Sequence, residues 1–166
     1  MRTRHFISFV LIMAGHCLCA HAADKIATFS SLPTSDSLEV RFTSGGCFHF
    51  YTYDFVFRHG AKSSVSVASV TLQWSEKKKQ YSEKSREKLG QVHLTDADLK
   101  GLDELLRFYR SQPGGGCTTV DTITVSQSRD GKTIATEQFV DGSCRTHTKN
   151  SFTTLPEIAR RLEKKK

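Results

Sequence analysis

The chain has 166 residues, of which five are Cys, and its 24 Lys and Arg outnumber its 17 Asp and Glu. This length is typical of one domain. A charged fraction of 25% without an excess of Gly or Pro excludes a collagen-like, low-complexity or wholly disordered chain. No apolar run reaches the ~18–20 residues that a membrane-spanning helix needs. The composition therefore indicates a folded domain without indicating its activity.

Residues 1–22 have the layout of a secretory signal peptide. Two Arg within the first four positions precede an apolar stretch from Phe6 to Gly15, and Ala20 and Ala22 supply the small residues before a cleavage site. We expect cleavage after Ala22 and export to the periplasm or the extracellular space. A short membrane anchor is the alternative, which the short apolar stretch disfavours.

The mature chain, residues 23–166, retains three cysteines and carries 22 basic and 17 acidic residues. Its positive charge is concentrated in residues 76–90, predicted as a polar basic connection, and in a basic tail at residues 160–166. Such runs are usually solvated surface, and attraction to anionic lipid or polysaccharide is the alternative. Neither run interleaves aromatic residues as a single-strand nucleic-acid platform does, so nucleic acid is not an expected partner.

The first half of the chain shows strand patterns. Residues 38–43 alternate as a short strand that Gly45 and Gly46 should end, residues 47–58 are typical of a long aromatic strand, and residues 63–74 are typical of its return strand. The apolar positions of the aromatic strand change parity near Thr52. We therefore expect either a one-residue bulge there or burial on both faces.

Two helices are predicted in the second half. Thr95 is a good N-cap with Asp98 three residues later, and the apolar residues of positions 99–109 fall on one helical face. Thr154 and Glu157 form a capping-box pattern at the start of the second helix. The order of strands, helix, strands and helix predicts a single α+β domain with an antiparallel sheet of about five to six strands.

Asp130 and Gly131 give the strongest hairpin signal, between predicted strands at residues 117–129 and 132–144. A two-residue turn there places Cys117 opposite Cys144. We expect these two cysteines to form a disulfide, because an exported chain meets oxidising conditions.

The same register also assigns the faces of this hairpin. Ile123, Val125, Ile134 and Val140 share the face of the two cysteines, and we assign that face to the core. A bulge in strands of this length would break the register. Cys47 is then the odd thiol, and we expect it to be a buried small residue at a strand start.

The densest group of residues with reactive or metal-binding side chains is Cys47 and His49 together with Cys144 and His147. The Cys-x-His and Cys-x-x-His spacings are compatible with zinc or copper. Cys47 and His49 are also candidates for a thiolate–imidazole catalytic pair. Because export favours the disulfide, we expect neither a metal nor another cofactor, and we keep both sites as alternatives.

Two other groups contain residue types that occur in active sites. Ser143 and His147, with Asp121 or Asp141, contain the types of an acyl-transfer triad. Asp54 lies between aromatic residues, where its pKa would be raised if it were a buried acid. Both patterns arise often without a catalytic role, so we do not expect an enzyme.

Four segments are similar to those of a family of bacterial secreted proteins that has no established activity. They are SGGCFH at residues 44–49, LTDADLKGLDELLRFYR at 94–110, CTTVDTI at 117–123 and DGSC at 141–144. The resemblance covers most of the mature chain. It implies bacterial origin and export, and it implies no ligand or catalytic residue.

The hypothesis that follows is a secreted or periplasmic, non-enzymatic binding module. Its expected partner is a protein or an anionic envelope polymer, held on a sheet face if one face is open. A Cys/His metal-binding envelope protein and a small thiol-dependent hydrolase are the alternatives.

Overall fold

The computed structural model describes residues 25–147, without the side chain of residue 147, and residues 152–163. The predicted signal peptide, residues 1–22, lies outside them. Over the described residues the protein is an α+β domain with one six-stranded antiparallel sheet, in the order β4-β3-β2-β1-β5-β6, and two α-helices. The strands are β1 (Asp36–Gly46), β2 (His49–Arg58), β3 (Ser64–Ser75), β4 (Gln80–His93), β5 (Val120–Arg129) and β6 (Lys132–Asp141), and the helices are α1 (Asp96–Arg110) and α2 (Leu155–Glu163). This architecture confirms the predicted fold class. Neither described helix has the length and apolarity to cross a membrane.

Both helices pack on the same face of the sheet, which is the face where apolar residues alternate. Phe42 of β1, Phe55 of β2 and Ile123 of β5 are each at most 1% exposed there. Leu102 of α1 and Ile158 of α2 are fully buried against them. Since side chains of a strand point alternately to its two faces, the remaining side chains of each strand lie on the opposite face, which carries polar residues together with apolar ones such as Phe50, Val70 and Trp74. No element among the described residues covers that open face.

The helix caps form as predicted. The Thr95 hydroxyl accepts a hydrogen bond from the Asp98 N–H at 3.2 Å, and the Asp98 carboxylate accepts one from the Thr95 N–H at 3.0 Å. At α2, the Thr154 N–H donates to Glu157 at 2.8 Å. These contacts satisfy amide groups that the first helical turn leaves without partners.

The helices are also joined to each other and to the sheet by close contacts. Arg161 of α2 donates to the Asp98 carboxylate of α1 at 2.7 Å. Gly90 of β4 has a φ of +143°, and a Cβ there would lie 3.2 Å from the Leu162 side chain. Tyr53 of β2 donates from its hydroxyl to Glu163 at 2.8 Å. Helix α2 is therefore anchored to the sheet and to α1.

The turn between β5 and β6 is the predicted two-residue turn, but the register beyond it is shifted. Asp130 and Gly131 have φ values of +51° and +75°, the left-handed pair that a type I′ hairpin turn needs. A bulge follows between Gln127 and Ser128, so that Gln127 pairs with Ala135. One extra residue therefore enters β6 close to its start.

The shifted register makes part of the predicted core assignment wrong. Ile123 and Val125 are buried as predicted, but Ile134 and Val140 of β6 are 45% and 58% exposed. Phe139 packs against the core instead. The reason is geometric, because moving a strand by one residue exchanges its two faces.

The Cys117–Cys144 disulfide forms although these residues do not lie in the paired strands. The ladder ends at Val120 and Asp141, and the two Cα atoms are 5.6 Å apart beyond it. The Cys117 N–H donates to the Gly142 carbonyl at 2.9 Å and holds the two chain segments together there. The predicted bond is confirmed, whereas the predicted cross-strand position is not.

The first hairpin differs from its prediction in its turn. Strand β1 continues through Gly45 and Gly46, and Cys47 and Phe48 form the turn before β2. Cys47 is exposed, so the expectation of a buried residue at a strand start is wrong. The β1–β2 register runs without a bulge at Thr52, and Phe50 is 51% exposed, so neither of the two alternatives, a bulge or burial of the aromatic set on both faces, is found.

Residues 76–90, predicted as a polar connection, belong largely to a strand. Strand β4 begins at Gln80, and every residue from 76 to 88 is exposed. Beyond Val70, β3 pairs with β4 alone within the described residues. Residues 71–85 therefore form a two-stranded hairpin, which we call the β3–β4 arm. Charged residues are common in such edge strands because they discourage pairing with other chains.

Of the predicted basic tail, residues 160–163 belong to α2 and residues 164–166 lie outside the described residues.

Candidate functional site

Three aromatic side chains form an exposed cluster where the open face meets the β3–β4 arm. Trp74 pairs across the arm with Tyr81, and their rings are T-shaped at a centroid distance of 5.2 Å. Phe50 of β2 reaches across and stacks on Tyr81 at 5.4 Å. The three residues are 43–55% exposed. Exposed apolar clusters of this kind mark interaction sites, because water contact with them is unfavourable.

Positive charge surrounds this cluster. Residues 76–88 contain six basic and three acidic residues. Lys79 is paired with Glu76 at 2.7 Å. Lys77, Lys78 and Lys84 of the arm, and Lys88 next to it in β4, make no ion pair within the described residues. We call the three aromatic residues and these four lysines the aromatic–basic surface.

An ion-pair network lies next to this surface on the open face. Arg41 binds Asp54 through two hydrogen bonds of 2.8 Å, and Arg86 contacts Asp54 at 2.6 Å and Glu83 at 2.8 Å. A depression of about 440 Å³ opens beside the network, and Thr124 of β5 contributes to its wall. The open face thus offers both charged and hydroxyl hydrogen-bonding groups.

The network rules out the alternative that Asp54 is an acid with a raised pKa. Burial alone would raise the pKa of this carboxyl, but hydrogen bonds from Arg41 and Arg86 stabilise the ionised form and bring its pKa below the usual range. Asp54 is therefore a carboxylate that orients two guanidinium groups. It has no proton to donate at neutral pH.

The structure brings some of the predicted Cys/His residues to one end of the sheet, near the disulfide. His49 Nε2 lies 3.1 Å from the hydroxyl of Ser44, a fully buried residue. Cys47 is exposed in the adjacent turn and makes no hydrogen bond with His49 in the described part of the chain. The thiol and the imidazole are therefore neighbours in sequence with no hydrogen bond between them in the described part of the chain.

The predicted metal ligands are not assembled either. Cys144 is bonded to Cys117, and the side chain of His147 lies outside the described residues. Among the side chains that the structure describes, no three His, Cys, Asp or Glu residues are placed to hold a metal ion.

Of the residues of the predicted acyl-transfer triad, Ser143, Asp121 and Asp141 belong to one structural cluster, and the side chain of His147 lies outside the described residues. The Ser143 hydroxyl donates directly to Asp141 at 2.5 Å. Thr146 lies within hydrogen-bonding distance of Asp141, at 3.0 Å, and of Asp121, at 3.2 Å. Both aspartates are at most 2% exposed. Burial raises the pKa of the neighbouring Tyr109 well above its usual value, and the two carboxylates raise it further. These contacts hold the segment after β6 against the sheet.

No family model matches the chain, and a search of curated proteins finds no match. The similarity to a family of bacterial secreted proteins therefore stays a prediction.

The aromatic–basic surface was not predicted as a site, although the sequence holds one signal of it. Trp74 and Tyr81 lie at equal distances from the centre of the turn at residues 76–79. In a hairpin, such positions face each other on the same side of the ribbon. The sequence around Trp74 and Tyr81 does not indicate that Phe50 joins the cluster, because Phe50 lies on a third strand, β2.

Proposed function

We propose that the protein is an exported, non-enzymatic binding module that holds an anionic envelope polymer on its aromatic–basic surface. The observation that carries this proposal is the exposed cluster of Phe50, Trp74 and Tyr81 beside lysines without ion pairs. An acidic polysaccharide suits both features. The apolar faces of its sugar rings stack on aromatic rings, and its carboxylates are attracted by ammonium groups.

The shape of the open face supports an extended ligand. The face is uncovered within the described residues, and it continues from the arm to the depression beside Arg41 and Arg86. A polymer can therefore contact the aromatic cluster and the ion-pair network at the same time. Several weak contacts along one polymer chain then combine to give a higher overall affinity than any single contact.

The disulfide supports the location in the proposal. Disulfides persist in oxidising compartments and are rare in the cytosol, so the Cys117–Cys144 bond fits a periplasmic or extracellular protein. The metal-binding and thiol-hydrolase alternatives are not proposed, since no arrangement among the described residues favours either.

Titration with polygalacturonate, a soluble uronate polymer, tests the proposal. The mature chain contains one tryptophan, so its fluorescence reports directly on Trp74. We expect a saturable change that weakens when NaCl is raised from 50 to 500 mM, and little change with dextran, a neutral polymer. Tyr81→Ala should weaken binding at least about ten-fold, because both ring contacts of the cluster are lost.

The matched control is Ile134→Ala, which removes a side chain of similar exposure from the opposite edge of the sheet. It should bind as the parent does. Equal responses to dextran and polygalacturonate, or equal binding by the Tyr81→Ala variant, would contradict the proposal. A response to anionic phospholipid vesicles alone would assign the surface to a membrane instead.

A further inference from the structure

The two edge strands of the sheet differ in their protection against pairing with another chain. Strand β4 forms one edge, and five of the six residues at positions 83–88 are charged. Strand β6 forms the other edge, and between its end residues Lys132 and Asp141 the single charged residue is Glu137. Within the described residues, β6 pairs with β5 alone. An edge without interior charges is a place where a further strand can add to the sheet.

The exposed apolar residues of β6 lie on both sides of Glu137. Ile134 and Val140 are 45% and 58% exposed, and they stand at equal distances from Glu137 along the strand. Ile134 is the extra residue of the bulge, so the regular part of this edge begins at Ala135. Ala135 and Phe139 pack against the core, so their neighbours Ile134 and Val140 face the open side of the sheet.

These positions make β6 complementary to a second copy of itself. In an antiparallel pair with its two-fold axis at Glu137, Ile134 of one copy faces Val140 of the other, and the symmetry repeats this contact. Thr136 then faces Gln138, which is a polar pair on the same side. An axis at Thr136 or at Gln138 instead would place the apolar residues opposite polar ones or beyond the paired segment. The strand therefore favours one register of self-pairing.

The charge at this axis is neutralised within each copy. Glu137 accepts hydrogen bonds from Nε and a terminal nitrogen of Arg110, each at 2.8 Å. Like charges that face each other across two strands are destabilising, but here each carboxylate has its own guanidinium group. On the same side of the sheet, the small Ala135 of one copy faces the larger Phe139 of the other.

We propose that β6 pairs with β6 of a second copy of this chain, so that two sheets join edge to edge into one continuous sheet. About seven residues of each chain take part, fewer than the roughly 20–30 a side of a standard interface, so the dimer forms reversibly as concentration rises. The open faces of both copies lie on the same side, because facing residues share a face. The aromatic–basic surface lies at the opposite edge of each sheet, so pairing neither requires nor blocks polymer binding.

Sedimentation velocity of the mature chain between about 5 and 500 µM tests this inference. We expect a monomer at the lowest concentration and a dimer at the highest. Ile134→Lys and Val140→Lys should each raise the dimer dissociation constant at least about ten-fold, because each places an ammonium group against an apolar side chain in both halves of the dimer. The double variant Ile134→Lys, Val140→Glu places opposite charges face to face and should restore pairing.

Tyr81→Lys is the control, because Tyr81 is 55% exposed at the other edge of the sheet, and this variant should dimerise as the parent does. All these substitutions change exposed side chains, so they leave the fold intact. A chain that stays monomeric at about 500 µM would overturn the inference, as it would if the edge takes an extended segment of a different protein. A dimer that Tyr81→Lys disrupts and the β6 variants leave intact would also overturn it. Polymer binding is measured separately from the fluorescence of Trp74, so the two proposals fail independently.

Discussion

Asp98 shows how one side chain connects the local and the tertiary structure. It completes the capping box of α1 and also accepts a hydrogen bond from Arg161 of α2. The Arg161 contact and the hydrogen bonds from Thr95 outweigh the effect of burial and lower the pKa of Asp98 to about 2. The ionised form of this carboxyl is therefore tied to the folded state.

We predict that Asp98→Asn destabilises the protein by about 1–2 kcal/mol at pH 7. A carboxyl in an unfolded chain has a pKa of about 3.9, so the contribution is fully present above about pH 4. It is lost as the pH falls toward 2, where the folded form is also protonated. Urea unfolding between pH 7 and pH 2.5 should show the parent and the variant converging over that window.

Asp96→Asn is the matched control for this prediction. It makes the same chemical change in the same helical turn, at an exposed position that forms no ion pair with α2 within the described residues. Its effect on the free energy of unfolding should be smaller, at about 0.5 kcal/mol or below. Equal effects of the two substitutions would show that the Arg161 contact contributes nothing.

Cys47 is exposed in a turn, and its reactivity should reflect that position. We predict that the unreduced mature chain reacts with a thiol reagent at one cysteine, without denaturant, and that Cys47→Ser abolishes the reaction. The other two mature cysteines are held in the disulfide. Mass mapping of the labelled peptides checks the assignment. A label that appears only after denaturation would mean that the turn is shielded.

At the scale of elements, the features that sequence predicted well are those with local causes. The caps of both helices and the turn at Asp130 and Gly131 depend on residues within four positions of each other. The strand order and the aromatic–basic surface were harder to predict, because they depend on residues far apart in sequence. The aromatic cluster, for example, joins Phe50 to two residues of the arm.

The faces of β6 illustrate what sequence alone could not decide. Both faces carry apolar residues, so the pattern does not select one. Phe139 stacks on Tyr109 of α1 at a centroid distance of 6.0 Å, and Glu137 binds Arg110 at 2.8 Å. The bulge at Gln127 and Ser128 allows these contacts with α1. It leaves Ile134 and Val140 exposed to solvent. The turn alone would give an unshifted register. The packing of β6 against α1 favours the shifted register that the structure shows.

At the scale of the whole molecule, the disulfide limits the freedom of the unfolded chain. It joins residues 27 positions apart, and the loop-closure relation gives a stabilisation of about 3–4 kcal/mol. We predict that the double variant Cys117→Ser, Cys144→Ser loses about this much free energy of unfolding in urea. Cys47→Ser is the control and should change it by less than about 0.5 kcal/mol. A double variant as stable as the parent would show that the bond is dispensable.

The two faces of the sheet differ in what they carry. One face carries the apolar core under α1 and α2, and the other presents polar and charged groups together with the aromatic cluster.

Because the β3–β4 arm is exposed, its sequence can change in evolution more readily than the sequence of the core. Residues 76–88 are exposed throughout, so substitutions there leave the buried packing of the body untouched. Selection can then alter the surface of the arm while the rest of the chain stays under the constraint of folding. Closely related domains are expected to diverge first in this hairpin and to keep the same scaffold.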